Sequence, residues 1–173
     1  MRKSGFAGVV AILLELSLSA CAGMSRYDAA GDIHAFLIAI RDGDQAAFDA
    51  HVDRPALKAQ IKARFLAGAA KAHGGWGALG AALVRPLVDL AADQLIQPDV
   101  FRAVAEYLGY SARTPIPDRV VIASGLKVLD HERVCVTRSK GGPCVLVFKD
   151  EDGVWRLTGF EGDPSMLRPP GKS

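Results

Sequence analysis

The residues of this chain with the most obvious chemical reach are four histidines and a short series of aspartates. His34, His51, His73 and His131 are scattered along the sequence. No two of them have the His-x-x-x-His spacing that would aim both imidazoles at one metal from a helix face. Asp42, Asp44, Asp49 and Asp53 lie close together in sequence. Either His131 or this Asp42–Asp53 cluster could serve as an acid/base group in a site assembled from distant residues. The aspartates have a simpler use. Asp44 and Asp53 each precede a helical pattern, where a carboxylate oxygen satisfies amides that have no partner within the helix. Ser124 lies between Ala123 and Gly125 and lacks the flanking glycines of a nucleophile elbow. Gly74-Gly75-Trp76-Gly77 lacks the lysine and serine of a phosphate-binding loop and reads as a connector. These residue types and spacings assemble no catalytic set, no metal site and no cofactor site.

Cys135 and Cys144 carry a different chemistry. They flank Arg138-Ser139-Lys140-Gly141-Gly142-Pro143, a turn-rich stretch. With Ser139 and Lys140 at the tip of a hairpin, the two cysteines fall directly opposite each other and can form a cross-strand disulfide. A redox-active pair favours Cys-x-x-Cys spacing, so a structural bridge is the expectation.

The third cysteine, Cys21, closes the N-terminal segment. Arg2 and Lys3 are followed by the apolar run Phe6–Leu18, and then by Ser19-Ala20-Cys21. As a helix, 13 residues would extend about 20 Å, short of the roughly 30 Å hydrocarbon core of a bilayer. Glu15 inside the run makes spanning less favourable still. A cleavable signal over residues 1–20 fits better. Leu18-Ser19-Ala20-Cys21 resembles the lipobox of bacterial lipoproteins. That resemblance implies acyl chains, palmitate among them, on Cys21 as the first residue of the mature chain. It also implies an address at the outer membrane facing the periplasm, because Ala22 and Gly23 are not the aspartate that retains such proteins at the inner membrane. The implied membrane partner is reached through the acyl chains.

Beyond residue 20 remain 153 of the 173 residues, enough for one domain with a core. The full chain has 21 basic and 19 acidic residues, and the first 20 residues hold only Arg2, Lys3 and Glu15. The near-neutral remainder has no electrostatic footprint for nucleic acid. Half of all residues are apolar and only 7% are aromatic, a composition that suits a helix-rich core.

The elements that must position these residues follow from periodicity. Residues 21–26 read as a tether. A helix is predicted from Tyr27, with Asp28 as a fair N-cap and Ile33, Phe36, Leu37 and Ile40 on one face. Asp42-Gly43-Asp44 ends it and caps a short helix over Gln45–Ala50 that carries Phe48. Asp53 caps a third helix, with Pro55 tolerated in its first turn and Leu57, Ile61, Phe65 and Leu66 on its apolar face. Leu79–Ile96 is strongly apolar, with Arg85, Asp89 and Asp93 as a polar stripe and Pro86 as a kink or divide. The stripe favours a core helix over insertion into lipid. Pro98 opens a fifth helix with Phe101, Val104, Ala105 and Leu108 facing inward, and Gly109 is a good residue to end it.

After Thr114-Pro115-Ile116-Pro117 the period becomes two. Arg119–Ala123, Leu126–Asp130, Arg133–Thr137, Cys144–Lys149 and Val154–Phe160 read as strands, with a tight turn at Glu151-Asp152-Gly153. The expected fold class is α+β. About five N-terminal helices should pack on one face of a C-terminal antiparallel sheet of four to five strands. Leu79, Leu83, Leu87, Leu90 and Val104 are expected to meet Val134, Val136, Leu146, Phe148, Trp155 and Leu157. Arg156 and Thr158 should face the other way. The domain is expected over 27–163, and 164–173 reads as a loose tail.

Three stretches carry a family resemblance: "IRDGDQAAFDAHVDRPALKAQIKARF", "LGAALVRPLVDLAADQLIQPDVFRAV" and "DGVWRLTGF". In that order they resemble the bacterial domain of unknown function 2939 family, over about Tyr27 to Phe160. This resemblance implies no activity. A looser one is to periplasmic lipoproteins of the cystatin-like, nuclear-transport-factor-2-like type. Those share a helix, Gly-Asp, helix opening and a closing Trp-bearing strand, and their cone-shaped fold often encloses a pocket. The expectation is a lipid-anchored envelope protein whose domain binds an envelope protein or a small apolar ligand without catalysis. The alternative is an enzyme using His131 or the Asp42–Asp53 cluster.

Overall fold

A computed structural model describes residues 25–72, 90–107, 109–137, 139 and 141–161. The expectations for the signal and Cys21, for Gly74–Gly77, for Leu79, Leu83 and Leu87, and for the tail all fall outside these residues.

Helix α1 occupies residues 25–42 and buries Ala29, Ala30, Ile33, Phe36, Ala39 and Ile40 along one stripe. It already includes Ser25 and Arg26, expected in the tether, so Asp28 lies within the helix instead of capping it. Gly43 ends it at φ 69°, a left-handed conformation that costs glycine little. The Gly43 amide donates to the Ile40 carbonyl and the Asp44 amide to the Ala39 carbonyl at 3.0 Å, which together make a Schellman closure. Asp44 is at once the N-cap of α2 (Gln45–Ala50), its side chain accepting from the Ala47 amide. One glycine and one aspartate thus stop a helix and start the next within two residues. Asp53 repeats the device for α3 (Arg54–Ala72), accepting from the Ala56 amide at 3.0 Å.

The described part of α4 spans residues 90–95 and is followed by α5 (Pro98–Tyr107). A second Schellman closure ends α5, with Gly109 at φ 94° and the Tyr110 amide donating to the Ala105 carbonyl at 3.0 Å. Three expected core positions here are corrected. Leu90 is 63% exposed, Val104 is 38% exposed, and Phe65 on α3 is half exposed. The stripe inward from these helices is narrower than their apolar content suggested, and Leu57, Ile61, Ala92, Ile96 and Phe101 do the packing.

Arg119–Ala123, expected as a strand, is part of helix α6 (Arg119–Gly125). Three successive β-branched residues argue for a strand by propensity. Local hydrogen bonding decides otherwise. Asp118 caps the first turn, its carboxylate accepting from the Val121 amide at 2.8 Å, and Ile122 and Ala123 gain contact with the core.

Strands β1 (Leu126–Val128), β2 (Arg133–Thr137), β3 (Cys144–Glu151) and β4 (Val154–Phe160) form one antiparallel meander in sequence order. The β3–β4 turn has Asp152 and Gly153 both at positive φ, matching the twist of the flanking strands. Leu126, Val134, Phe148, Trp155 and Leu157 are buried in one cluster with the α1, α2 and α3 residues, so one sheet face is packed on helices. Its centre is aromatic: Phe36 lies 5.5 Å from Phe48, 6.0 Å from Phe101 and 5.8 Å from Phe148, ring centroid to ring centroid.

The outer edge of β4 is closed by the helical layer. The Trp155 amide donates to the Asp32 carboxylate on α1 at 2.8 Å. The Leu157 amide donates to the His51 carbonyl at 2.9 Å, and the Asp53 amide donates to the Leu157 carbonyl at 3.0 Å. Val52 thereby forms a parallel bridge with Leu157. The Gln60 carboxamide pairs with Phe160 as a peptide group would, accepting from its amide at 2.9 Å and donating to its carbonyl at 2.7 Å. Gly159 permits this approach, since a Cβ there would lie 3.1 Å from the Gln60 Oε1. Unpaired strand edges invite association with other strands, and this one is satisfied internally.

Two stability measurements test this account. Trp155 is 3% exposed, and Trp155→Ala should cost about 3–5 kcal/mol in urea unfolding. An unchanged midpoint would mean that the helices and sheet do not share a core. Gln60→Ala removes the hydrogen bond to the Phe160 amide and one of two to its carbonyl, which Arg64 also reaches, and should cost about 1–3 kcal/mol. A loss below a few tenths would show that water and Arg64 replace the carboxamide without penalty.

Candidate functional site

The carboxylates of the Asp42–Asp53 series are committed one by one. Asp42 makes a two-pronged ion pair with Arg41, at 2.7 and 3.0 Å. Hydrogen bonding to Arg41 holds the Asp42 carboxyl below its ordinary range, the direction opposite to what a general acid needs. Asp49 receives Arg54 at 2.6 Å and Gln45 at 3.0 Å. Asp44 and Asp53 are the helix caps already described. These four residues do not converge on a common point of chemistry: two cap different helices and two pair with neighbouring guanidinium groups.

His131 lies in the β1–β2 connection, with its side chain 86% exposed and its Nε2 3.3 Å from the Glu132 carboxylate. Water surrounds it on nearly all sides, and Glu132 is its one ion-pair contact among the described residues. His131 faces Glu132, whereas Asp42, Asp44, Asp49 and Asp53 are held by Arg41, Arg54 and helix amides, so the structure does not pair the two acid/base candidates.

A polar depression of about 430 Å³ lies at this end of the sheet, lined by Glu132, Lys149, Asp150, Glu151, Asp152 and Arg156. Strand register builds it. Lys149 and Arg156 are cross-strand partners, and Glu151 follows Lys149 by two residues on the same face. The Glu151 carboxylate sits between them, 3.9 Å from the Lys149 Nζ and 3.4 Å from the Arg156 Nη1. Arg156 is also anchored by its Nε, which donates to the Ala50 carbonyl at 3.1 Å. The depression can offer alternating charge to a polar group, though solvent-screened ion pairs of this kind contribute little energy. Sequence reasoning had turned Arg156 away from the helices but missed its grouping with Lys149 and Glu151. The alternation of charge across the Asp152-Gly153 turn is the signal that could have found it.

The reverse face of the sheet carries the Cys135–Cys144 disulfide, with Cα atoms 5.6 Å apart. The two cysteines are not directly opposite. Cys144 pairs with Thr137 and Cys135 with Val147, because the register shifts at Val136/Thr137. The irregularity leaves one residue unmatched, and the bridge runs diagonally across it. Both cysteines are buried together with Val147, and Leu129 packs against them. Among the described residues, no group of three or more His, Cys, Asp or Glu side chains is arranged to hold a metal ion.

Alkylation without reductant, followed by mass spectrometry, should leave Cys135 and Cys144 unmodified. Replacing both by serine should cost about 2–3 kcal/mol by the chain-entropy relation for so short a loop. Two alkylated thiols in the denatured, unreduced protein would contradict the bridge.

A family model described as "Protein of unknown function (DUF2939)" matches residues 16–104. The match takes in α1–α3 and most of α5, and the sheet with its "DGVWRLTGF" strand lies beyond it. No curated protein matches the chain. No solved structure matches it either. With just over half of its residues covered by that family model, the chain belongs to the DUF2939 family, whose function is unknown.

Proposed function

We propose that this protein is a lipid-anchored component of the bacterial envelope, held at the outer membrane and facing the periplasm, whose domain acts by non-catalytic interaction or small-ligand binding. The observation that carries the reading is the ending Leu18-Ser19-Ala20-Cys21 behind Arg2, Lys3 and a short apolar run. Two acyl chains on one cysteine hold a protein at a bilayer where a single chain holds it marginally. The buried disulfide is in keeping with an oxidising compartment. No described helix is long and apolar enough to cross a membrane.

The non-catalytic part rests on how the ionisable groups are used. Asp42, Asp44, Asp49 and Asp53 are engaged in ion pairs and caps, and His131 is open to water. Exposed apolar side chains on α5 and just after it, Val104, Tyr107 and Tyr110, supply contact surface for an envelope partner.

Expressed in a bacterial host, the wild-type chain should partition into detergent and float with membranes. Cys21→Ser should appear in the soluble periplasmic fraction or remain uncleaved. Identical partitioning of the two proteins, both cleaved, would refute the anchor.

A further inference from the structure

We infer that the domain has a membrane-facing end, formed by the first turn of α1 and the outer face of α6, and that this end rests on the bilayer surface. The inference builds on the lipid anchor proposed at Cys21. Helix α1 is already formed at Ser25, four residues after that cysteine. Four residues reach at most about 14 Å. A domain of this length has a radius of gyration of about 14 Å, so its diameter well exceeds the tether. Whichever surface surrounds Ser25 must therefore face the lipid.

That surface includes α6. The Arg119 Nε donates to the Tyr27 carbonyl at 2.7 Å, and the guanidinium lies 4.1 Å from the centroid of the Tyr27 ring. Its Nη2 also reaches the Asp28 carboxylate at 3.4 Å. The His34 ring is hydrogen-bonded to the Pro117 carbonyl at 2.9 Å, just before α6 begins. Gly31 allows the close approach, since a Cβ there would lie 2.8 Å from the Arg119 Cζ. The start of α6 is thus fixed to the first three turns of α1.

The outward side of α6 has no charged residue. Val120 is 65% exposed and Val121 55% exposed, and Ser124 and Gly125 share that side, while Ile122 and Ala123 pack inward. Two bare valines follow Arg119, which stacks on the half-exposed Tyr27, and these apolar groups match what an interfacial surface needs. Aliphatic groups enter the acyl boundary and an aromatic ring sits at headgroup level. Asp28, paired with Arg119, and Asp118, capping α6, offset the charge of Arg119 and Arg26, so the aliphatic and aromatic side chains carry the contact with the bilayer.

The full lipidated chain tests this directly. With Cys21 acylated and Cys135 bridged to Cys144, Val121→Cys supplies the reactive thiol for an environment-sensitive fluorophore. Ala46→Cys is the control: it is exposed on α2, beyond the far end of α1, which runs about 25 Å from residue 25 to residue 42. Both proteins are reconstituted in phosphatidylethanolamine–phosphatidylglycerol vesicles carrying doxyl-labelled phosphatidylcholine. The expected result is blue-shifted emission and quenching at position 121, with neither at position 46. Vesicle flotation without quenching at 121 overturns the membrane-facing end and leaves the anchor standing, whereas failure to float removes the anchor and this inference with it. Equal quenching at both positions overturns the assignment of one end. A blue shift at 121 in detergent that grows with protein concentration assigns the face to a second copy of the chain and overturns the inference as well.

Discussion

The edge of β4 is the constraint on which the rest of this structure depends. A four-stranded meander has two open edges, and each presents backbone groups that must find partners. The β1 edge is only three residues long and bears the exposed Lys127. The β4 edge is seven residues long and is closed from the helical side by Asp32, by the His51–Asp53 segment and by Gln60. These contacts set where α1, the α2–α3 junction and α3 sit relative to the sheet. The aromatic group of Phe36, Phe48, Phe101 and Phe148 then fills the space between the layers. Hydrogen bonds at the edge locate the helices, and burial of apolar surface supplies most of the stability.

This arrangement explains the economy of the helix junctions. Asp44 closes α1 through its amide and opens α2 through its carboxylate. Asp53 caps α3 with its side chain while its amide pairs with Leu157. Carboxylates that look like a reactive cluster in one dimension are therefore joints in three. The same holds for Asp32, whose charge is spent on a strand amide instead of on a ligand.

The two faces of the sheet are stabilised differently. The inner face is a broad apolar surface against helices. The outer face carries a small apolar group of Cys135, Cys144, Val147 and Leu129, with the disulfide within it, and charged residues at the hairpin end. A covalent bridge does there what a helical layer does on the other side, and a register shift between the strands makes the bridge diagonal. In the envelope reading, a domain tethered by so few residues would hold this outer face and its polar depression at an orientation set by the start of α1.

Local physics made much of the chain legible from sequence. Gly43 and Gly109 as helix ends, Asp44 and Asp53 as caps, the Asp152-Gly153 turn and the inward Trp155 all follow from backbone conformations or periodicities that a few residues decide. The helices-then-strands order determined the α+β class, and the spacing of Cys135 and Cys144 made a bridge possible before any register was known. Other features required the tertiary structure. Val120-Val121-Ile122 has strand propensity, yet Asp118 and contact with the core make it helical. Val104 and Leu90 carry apolar side chains, yet the helices turn them outward. The pairing of Gln60 with Phe160, 100 residues apart, has no local signature, because a carboxamide on a helix face looks solvated until a strand edge arrives beside it. Short-range conformational preferences can be read residue by residue. Which polar groups find partners, and which apolar faces are covered, depends on contacts between segments that only the folded chain brings together.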